Sequence, residues 1–258
     1  PAGGHYWRLA NDIYDSWSAV LRQWDVAYSI PSIDRFTKPG GYSFLDQMIV
    51  GDIPGRKGSA YGPGLSHDET VAHMTLWVMA ASPLLTCTDI RNMTTEVKAI
   101  LMNEELLAVH KDPLARMAVR VDVGGGALDQ ELRSANLCAA DFPRCQEGPH
   151  DPNYLGHGCL ECRSNFSVFE KPLHDNSSAV MVLNRGEDAL NVTIDLTDLA
   201  HYSIIPFYTW TARDVWAHAD LGVFTDSMAV TVPGHGVRLF RMRSQPPPPP
   251  PTCPAGWL

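Results

Sequence analysis

The chain predicts an α/β segment followed by an all-β segment, and two observations carry that expectation. Up to Pro113, runs with helical periodicity alternate with short apolar runs. After Pro113 the period shortens to two, with turn residues between the runs. Alternating helices and strands imply parallel strands with helices outside, whereas closely spaced alternating strands imply an antiparallel sandwich.

The elements follow in order. Residues 14–28 place Trp17, Val20, Leu21, Trp24 and either Val26 or Ala27 on one helical stripe, with Asp15 as a candidate cap. Pro31, Pro39, Gly40 and Gly41 end that helix, and Tyr42 to Val50 reads as a strand and its exit loop. After a loop over 51–64, Ser66-His67-Asp68-Glu69 forms a capping-box signature for a helix that should stop before Pro83. Leu84 to Ile90 reads as a buried strand. Thr94 can cap one helix over 95–110, with Val97, Ile100, Leu101 and Leu107 inward, Leu106 as a further candidate, and Pro113 ending it. Alternation then marks strands near 117–123, 166–170, 179–183, 190–196, 204–210, 228–232 and 237–242.

The expected organisation is therefore 1–113, then 114–244 with a Cys-rich insertion at about 124–164, then a tail over 245–258. The tail holds six consecutive prolines, a stiff polyproline II spacer.

Composition narrows the partners. With 29 acidic and 20 basic side chains the net charge is −9, which argues against nucleic acid or an anionic membrane. The longest apolar run, Met74 to Leu85, is too short for a membrane span, which needs ~20 residues. The chain starts at Pro1 with no leader, so any secretion signal is expected upstream or removed.

Of six cysteines, Cys138, Cys145, Cys159 and Cys162 lie in the insertion, which has little apolar surface of its own and would gain from disulfides. Three pairings are open. With His150 and His157 the same cysteines could imitate a zinc site, but four sequons, at Asn92, Asn165, Asn176 and Asn191, favour disulfides and glycosylation in an extracellular, cell-wall or secretory setting. Cys87, in the expected buried strand, reads as a buried free thiol, and Cys253 could pair between chains. Neither a metal nor a cofactor is expected. Gly124-Gly125-Gly126 is a turn signal rather than a phosphate cradle.

The pattern most suggestive of chemistry is Trp7-Arg8-Leu9-Ala10-Asn11-Asp12, a cation with a carboxylate four residues on. Alone, such a pair is usually a surface ion pair. It stands, however, in order with Lys38-Pro39-Gly40-Gly41-Tyr42-Ser43-Phe44-Leu45-Asp46-Gln47-Met48-Ile49-Val50-Gly51, with His73 to Leu85, with Asp89-Ile90-Arg91-Asn92 and with Leu107 to Leu114. Farther on come Val168-Phe169-Glu170-Lys171-Pro172-Leu173, Val182 to Gly186 and Ala212 to Trp216. Jointly these resemble glycoside hydrolase family 27, the α-galactosidase or melibiase family of clan D, over about 1–122 and 165–243.

The resemblance implies about the last three β/α units of a TIM (β/α)8 barrel followed by a β-sandwich, since a whole barrel needs ~250 residues. It implies a retaining glycosidase acting on terminal α-D-galactosyl residues. Asp12 matches the family's acid/base and Arg8 a sugar-binding arginine. Asp46 matches a pocket-lining aspartate, and Gln47 stands beside it where the family usually has Met. Asp46 alone could instead be a turn or cap residue. A retaining site needs a second carboxylate ~5–5.5 Å from the first, and the family's nucleophile has no counterpart in these 258 residues. The chain is therefore expected to be inactive alone, needing a companion chain or upstream segment to complete the barrel. The substituted positions 42–45 leave a rival expectation: a non-catalytic matrix or cell-wall glycoprotein built on a degenerate glycosidase fold. Met74, Trp77 and Met79 are expected to be helix packing. Trp210 and Trp216 are expected in the sandwich core or at its rim, with sugar stacking as the other reading.

Overall fold

A computed structural model describes residues 4–30, 33–51, 63–123, 166–197, 199 and 209–245. The four cysteines of the insertion, Asn165, Cys253 and the polyproline tail lie outside the described residues.

The first part holds two parallel strands, β1 (Tyr6–Arg8) and β2 (Tyr42–Phe44), joined through helix α1 (Trp17–Ser29). Trp17, Ala19, Val20, Gln23, Trp24 and Ala27 are buried on α1, so Ala27 rather than Val26 completes the stripe. Ser16, not Asp15, caps the helix: its Oγ accepts the Ala19 N–H, while Asp15 is buried.

Helix α2 (His67–Met79) starts with the capping box read from the sequence, Ser66 Oγ accepting from Glu69 N and Glu69 Oε2 from Ser66 N. Apolar residues surround this helix, and nine of its residues are buried, Met74, Trp77 and Met79 among them. It is packed on several sides, which is what an all-round apolar helix requires.

Two expectations fail here. The run from Leu84 to Ile90 is not a buried strand. It makes one parallel bridge, Thr86 to Met48, and Leu85 and Ile90 are 44% and 70% exposed. Among the described residues no second strand pairs with it; Leu84 packs against the core, but Leu85 and Ile90 have no covering element. Cys87, expected to be buried, is accordingly exposed. The single helix over 95–110 is two, α3 (Thr95–Leu101) and α4 (Glu104–His110). Asn103 breaks it by capping α4, its Oδ1 accepting the Leu106 N–H, and the break rotates the stripe so that Ile100, Leu106 and Val109 are the buried positions.

The second part is an antiparallel sandwich. One sheet has the order β3 (Val119–Val123), β4 (Phe166–Pro172), β5 (Ser177–Asn184), β10 (Gly236–Gln245), β7 (Thr209–Asp214) and β8 (Ala219–Phe224). The other pairs β6 (Leu190–Asp195) with β9 (Ser227–Val232). Strand β8 was not foreseen: its residues are mostly exposed, and Gly222 at φ +101 interrupts any alternation.

Both faces of the large sheet are covered. Val180, Val182, Phe240 and Met242 point into the sandwich with Trp210, Ile194 and Met228. Their neighbours Ala179, Met181, Leu183, Val237 and Leu239 share a second core with Trp24, Leu76 and Trp77 of the helices. All eight residues of β5 are consequently buried.

Polar ties cross the same junction. Arg185 grips Asp25 with two hydrogen bonds of 2.6 and 3.2 Å, and Arg213 grips Glu105 with two of 2.8 Å. That fork holds the Glu105 carboxyl down at about 2. Trp216 donates its indole N–H to Thr75 at 3.0 Å, and the Asn103 amide donates to the Val215 carbonyl at 3.2 Å. Trp210 is therefore sandwich core, and Trp216 belongs to the junction with α2.

Candidate active site

Parallel strands set side by side bring their carboxyl ends to one rim, and here the rim collects three charged residues. Arg8 ends β1, Asp12 lies four residues beyond it, and Asp46 lies two residues beyond β2. One guanidinium nitrogen, Arg8 Nη2, donates to Asp12 Oδ1 at 2.6 Å and to Asp46 Oδ2 at 2.5 Å.

The two acids differ in environment. Asp46 has a side chain 11% exposed, and both of its oxygens are engaged: Oδ2 also accepts the Ile13 N–H at 2.8 Å, and Oδ1 the Gln47 N–H at 2.8 Å. Its backbone carbonyl accepts the buried indole N–H of Trp77 at 2.8 Å. Its φ is +85, a left-handed conformation that non-glycine residues adopt at a cost of about 1–3 kcal/mol and that clusters at functional sites. Asp12 is the reverse, with a side chain 81% exposed and, among the described residues, Arg8 as its side-chain partner.

Sharing one nitrogen, Asp12 Oδ1 and Asp46 Oδ2 can be no more than about 5 Å apart, no farther than the pair in a retaining glycosidase, ~5–5.5 Å. Asp46 nevertheless lacks the properties of a nucleophile. Its lone pairs already hold three donors, and it is nearly closed to solvent. It fixes Arg8 and the loop before α1, and of the two carboxyls Asp12 is the one that solvent reaches.

That loop is held from α1. Arg22 Nη2 donates to the Asp12 carbonyl and Gln23 Nε2 to the Asn11 carbonyl, each at 2.6 Å. Neither residue was singled out from sequence, although Gln23, a polar residue inside an apolar stripe, was the available signal. Trp77 was read as packing alone, and its hydrogen bond to Asp46 was missed. Gln47 lies at the exposed side of Asp46, where its Oε1 accepts the Cys87 thiol at 2.6 Å. Deeper in, His73 is fully buried. Its Nε2 accepts the Ile49 N–H at 3.3 Å, its ring lies against Trp77, and burial pushes it down to about 3, so it is neutral.

Of the replaced positions before Asp46, 43–45 are buried and Tyr42 is half-buried. Ser43 and Leu45 are fully buried, and Phe44 packs edge-on against Tyr6 at 5.3 Å between centroids. Their change of type alters the packing under the rim rather than the groups presented at it.

Among the described residues, no group of three or more His, Cys, Asp or Glu side chains could hold a metal ion. No helix among them is long and apolar enough to cross a membrane.

Comparison with known proteins agrees in order and extent. The alpha galactosidase A family matches over residues 2–112, and the alpha galactosidase C-terminal beta sandwich domain over 163–242. Alpha-galactosidase A of Cellvibrio japonicus is 25% identical, the match covering 93% of this chain and 50% of that protein. The chain thus spans about half the length of the curated relatives it matches. Among solved structures, alpha-galactosidase I of Mortierella vinacea shares the fold with a TM-score of 0.66 at 22% identity, over 92% of this chain and 53% of that one. A family 27 β-L-arabinopyranosidase of Geobacillus stearothermophilus does so at 0.67 and 20%, over 98% and 46%. With both domains matched in the family's order, the chain belongs to glycoside hydrolase family 27, of which it carries the carboxy-terminal part of the barrel and the β-sandwich behind it.

Proposed function

We propose that this chain supplies one wall of a retaining α-galactosidase site, with Asp12 as the acid/base, Arg8 binding sugar hydroxyls, Asp46 lining the pocket behind Arg8 and holding it, and Gln47 at the pocket edge. The observation that carries the reading is the Arg8 bridge between an exposed and a buried carboxylate at the carboxyl ends of parallel strands, where barrel enzymes place their chemistry. In the reaction Asp12 would give a proton to the leaving glycosidic oxygen and later take one from water. Arg8, fixed by Asp46, would orient the sugar with its free donors.

The nucleophile is a second carboxylate on a segment that completes the barrel, whether a companion chain or an upstream stretch. The chain alone is therefore inactive in this reading. No metal or cofactor takes part. The substrate's sugar is terminal galactose, although the arabinopyranosidase among the fold relatives marks a neighbouring specificity. The protein works outside the cell or in the secretory pathway. Asn92, Asn176 and Asn191 are all exposed, which suits glycosylation there. The insertion's cysteines form its disulfides.

The test is hydrolysis of a chromogenic α-galactoside by the chain alone and by the chain combined with a segment bearing the first five β/α units. Turnover is expected only in the second case, falling about 10²–10⁴-fold with Asp12→Asn. Turnover by the chain alone that Asp12→Asn abolishes would refute the need for a partner. A completed barrel with no turnover would leave the matrix-glycoprotein reading in its place.

A further inference from the structure

Most arginines of the described residues have an acid to meet. Arg8, Arg91, Arg185, Arg213, Arg241 and Arg243 are all ion-paired. Among the described residues Arg22, Lys98 and Arg238 also lack an ion pair but stand singly, whereas Arg35, Lys38, Lys111 and Arg116, likewise unmatched and all exposed, lie together. Two adjoining hollows of about 440 and 390 Å³, which share Pro39 and Pro113, gather all four at the amino end of β2. This is the end of the strand away from Asp46.

The acid in that lining, Asp112, is already committed. Its carboxylate accepts the Leu114 N–H, the His174 N–H and the His174 ring. In a chain of net charge −9, a groove holding four unmatched cations and one satisfied carboxylate is a local reversal of sign. Such a groove draws and holds anions.

Shape narrows the anion. Pro39 and Pro113 line both hollows, with Tyr42 beside them in the smaller one. The Lys38–Gly41 turn is braced by two reciprocal backbone hydrogen bonds of 2.9 Å. Flat apolar surfaces edged by a few charged donors suit rings that carry both C–H faces and anionic substituents. We infer that this groove binds an acidic polysaccharide, with carboxylate or sulfate groups set against Arg35, Lys38, Lys111 and Arg116 and pyranose faces on Tyr42 and the prolines.

The experiment is affinity electrophoresis of the 258-residue chain through gels containing polygalacturonate, a sulfated galactan or a neutral galactomannan. The acidic polymers should retard it and the neutral one should not, and about 0.5 M NaCl should release it. Arg35→Ala with Arg116→Ala should weaken retention about tenfold or more, while Lys98→Ala with Arg238→Ala, the same loss of charge elsewhere, should not. Asp12→Asn should leave retention unchanged, so the result stands apart from the α-galactosidase assay. Equal losses in the two double variants, equal retardation by the neutral polymer, equally tight binding of single-stranded DNA, or no retardation by any polymer would each overturn the assignment.

Discussion

Replacing Lys171 by Met should stabilise the protein near neutral pH and lose that advantage as pH rises. Lys171 sits on β4 with no exposed surface, and its Nζ donates to the Val78 carbonyl of α2 at 2.8 Å. Burial pushes it down from 10.5 to about 7, opposed weakly by the attraction of Asp112. That displacement corresponds to roughly 5 kcal/mol against the charged form. The folded value lies below the unfolded one, so between pH 7 and 10.5 the unfolded chain binds more protons and stability rises with pH. The cost is fully present below pH 7 and gone above 10.5.

Met has no such cost and fills much the same volume. It gives up one hydrogen bond worth about 1 kcal/mol, while the Val78 carbonyl keeps the Ala81 N–H at 3.1 Å. Urea unfolding followed by circular dichroism at about pH 7 and 9.5 should show the variant ahead at the lower pH by about 3 kcal/mol, and nearly level at the higher. A stability difference that does not change between those pH values would refute the reasoning.

Three other outcomes follow from the same structure. His73, held down to about 3 by burial, stays neutral while the unfolded chain takes up a proton near 6.5, so stability should fall as pH drops from 6.5 toward 3. His73→Phe should flatten that fall in acid unfolding curves. Arg185→Ala would leave the Asp25 carboxyl, which burial already pushes up, without its fork; unfolding should become easier by about 3 kcal/mol in urea titration at neutral pH. Ser66→Ala removes half of the α2 capping box and should cost about 1 kcal/mol, read as a lower melting temperature.

Local rules were legible in the sequence, and tertiary decisions were not. The α2 cap is written in four consecutive residues and forms as read. Strands β6 and β9 alternate because water lies on one side of them, and both were found; β5, covered on both faces, shows as an apolar run. β8 was not found, since an exposed edge strand with a glycine at φ +101 has no alternation to show. Asn103 reads as an ordinary helix residue until α4 meets the sandwich, where its amide donates to Val215 while its oxygen caps the helix. The apolar run from Leu84 to Ile90 carries the composition of a buried strand, but burial is a property of neighbours, and Leu85 and Ile90 lack them here. The i, i+4 spacing of Arg8 and Asp12 was visible in the chain itself. The Arg8 link to Asp46, 38 residues away, could be suspected only from the family pattern.

The sandwich has a physical reason to matter at the rim. Asp46 is held in a left-handed conformation with help from Trp77, and Trp77 belongs to α2. The same helix is gripped from the sandwich side: Thr75 accepts from Trp216, the Val78 carbonyl accepts from Lys171, and Glu69 meets His235 at 2.8 Å. Leu76 and Trp77 share one core with Met181 and Leu239 of the large sheet. A three-residue strand such as β2 cannot hold a strained aspartate by its own ladder. The rigidity reaches Asp46 through α2, and α2 is fixed by the sheet on which it rests. The sandwich thus acts as a buttress that keeps Asp46, and through it Arg8, in place for Asp12.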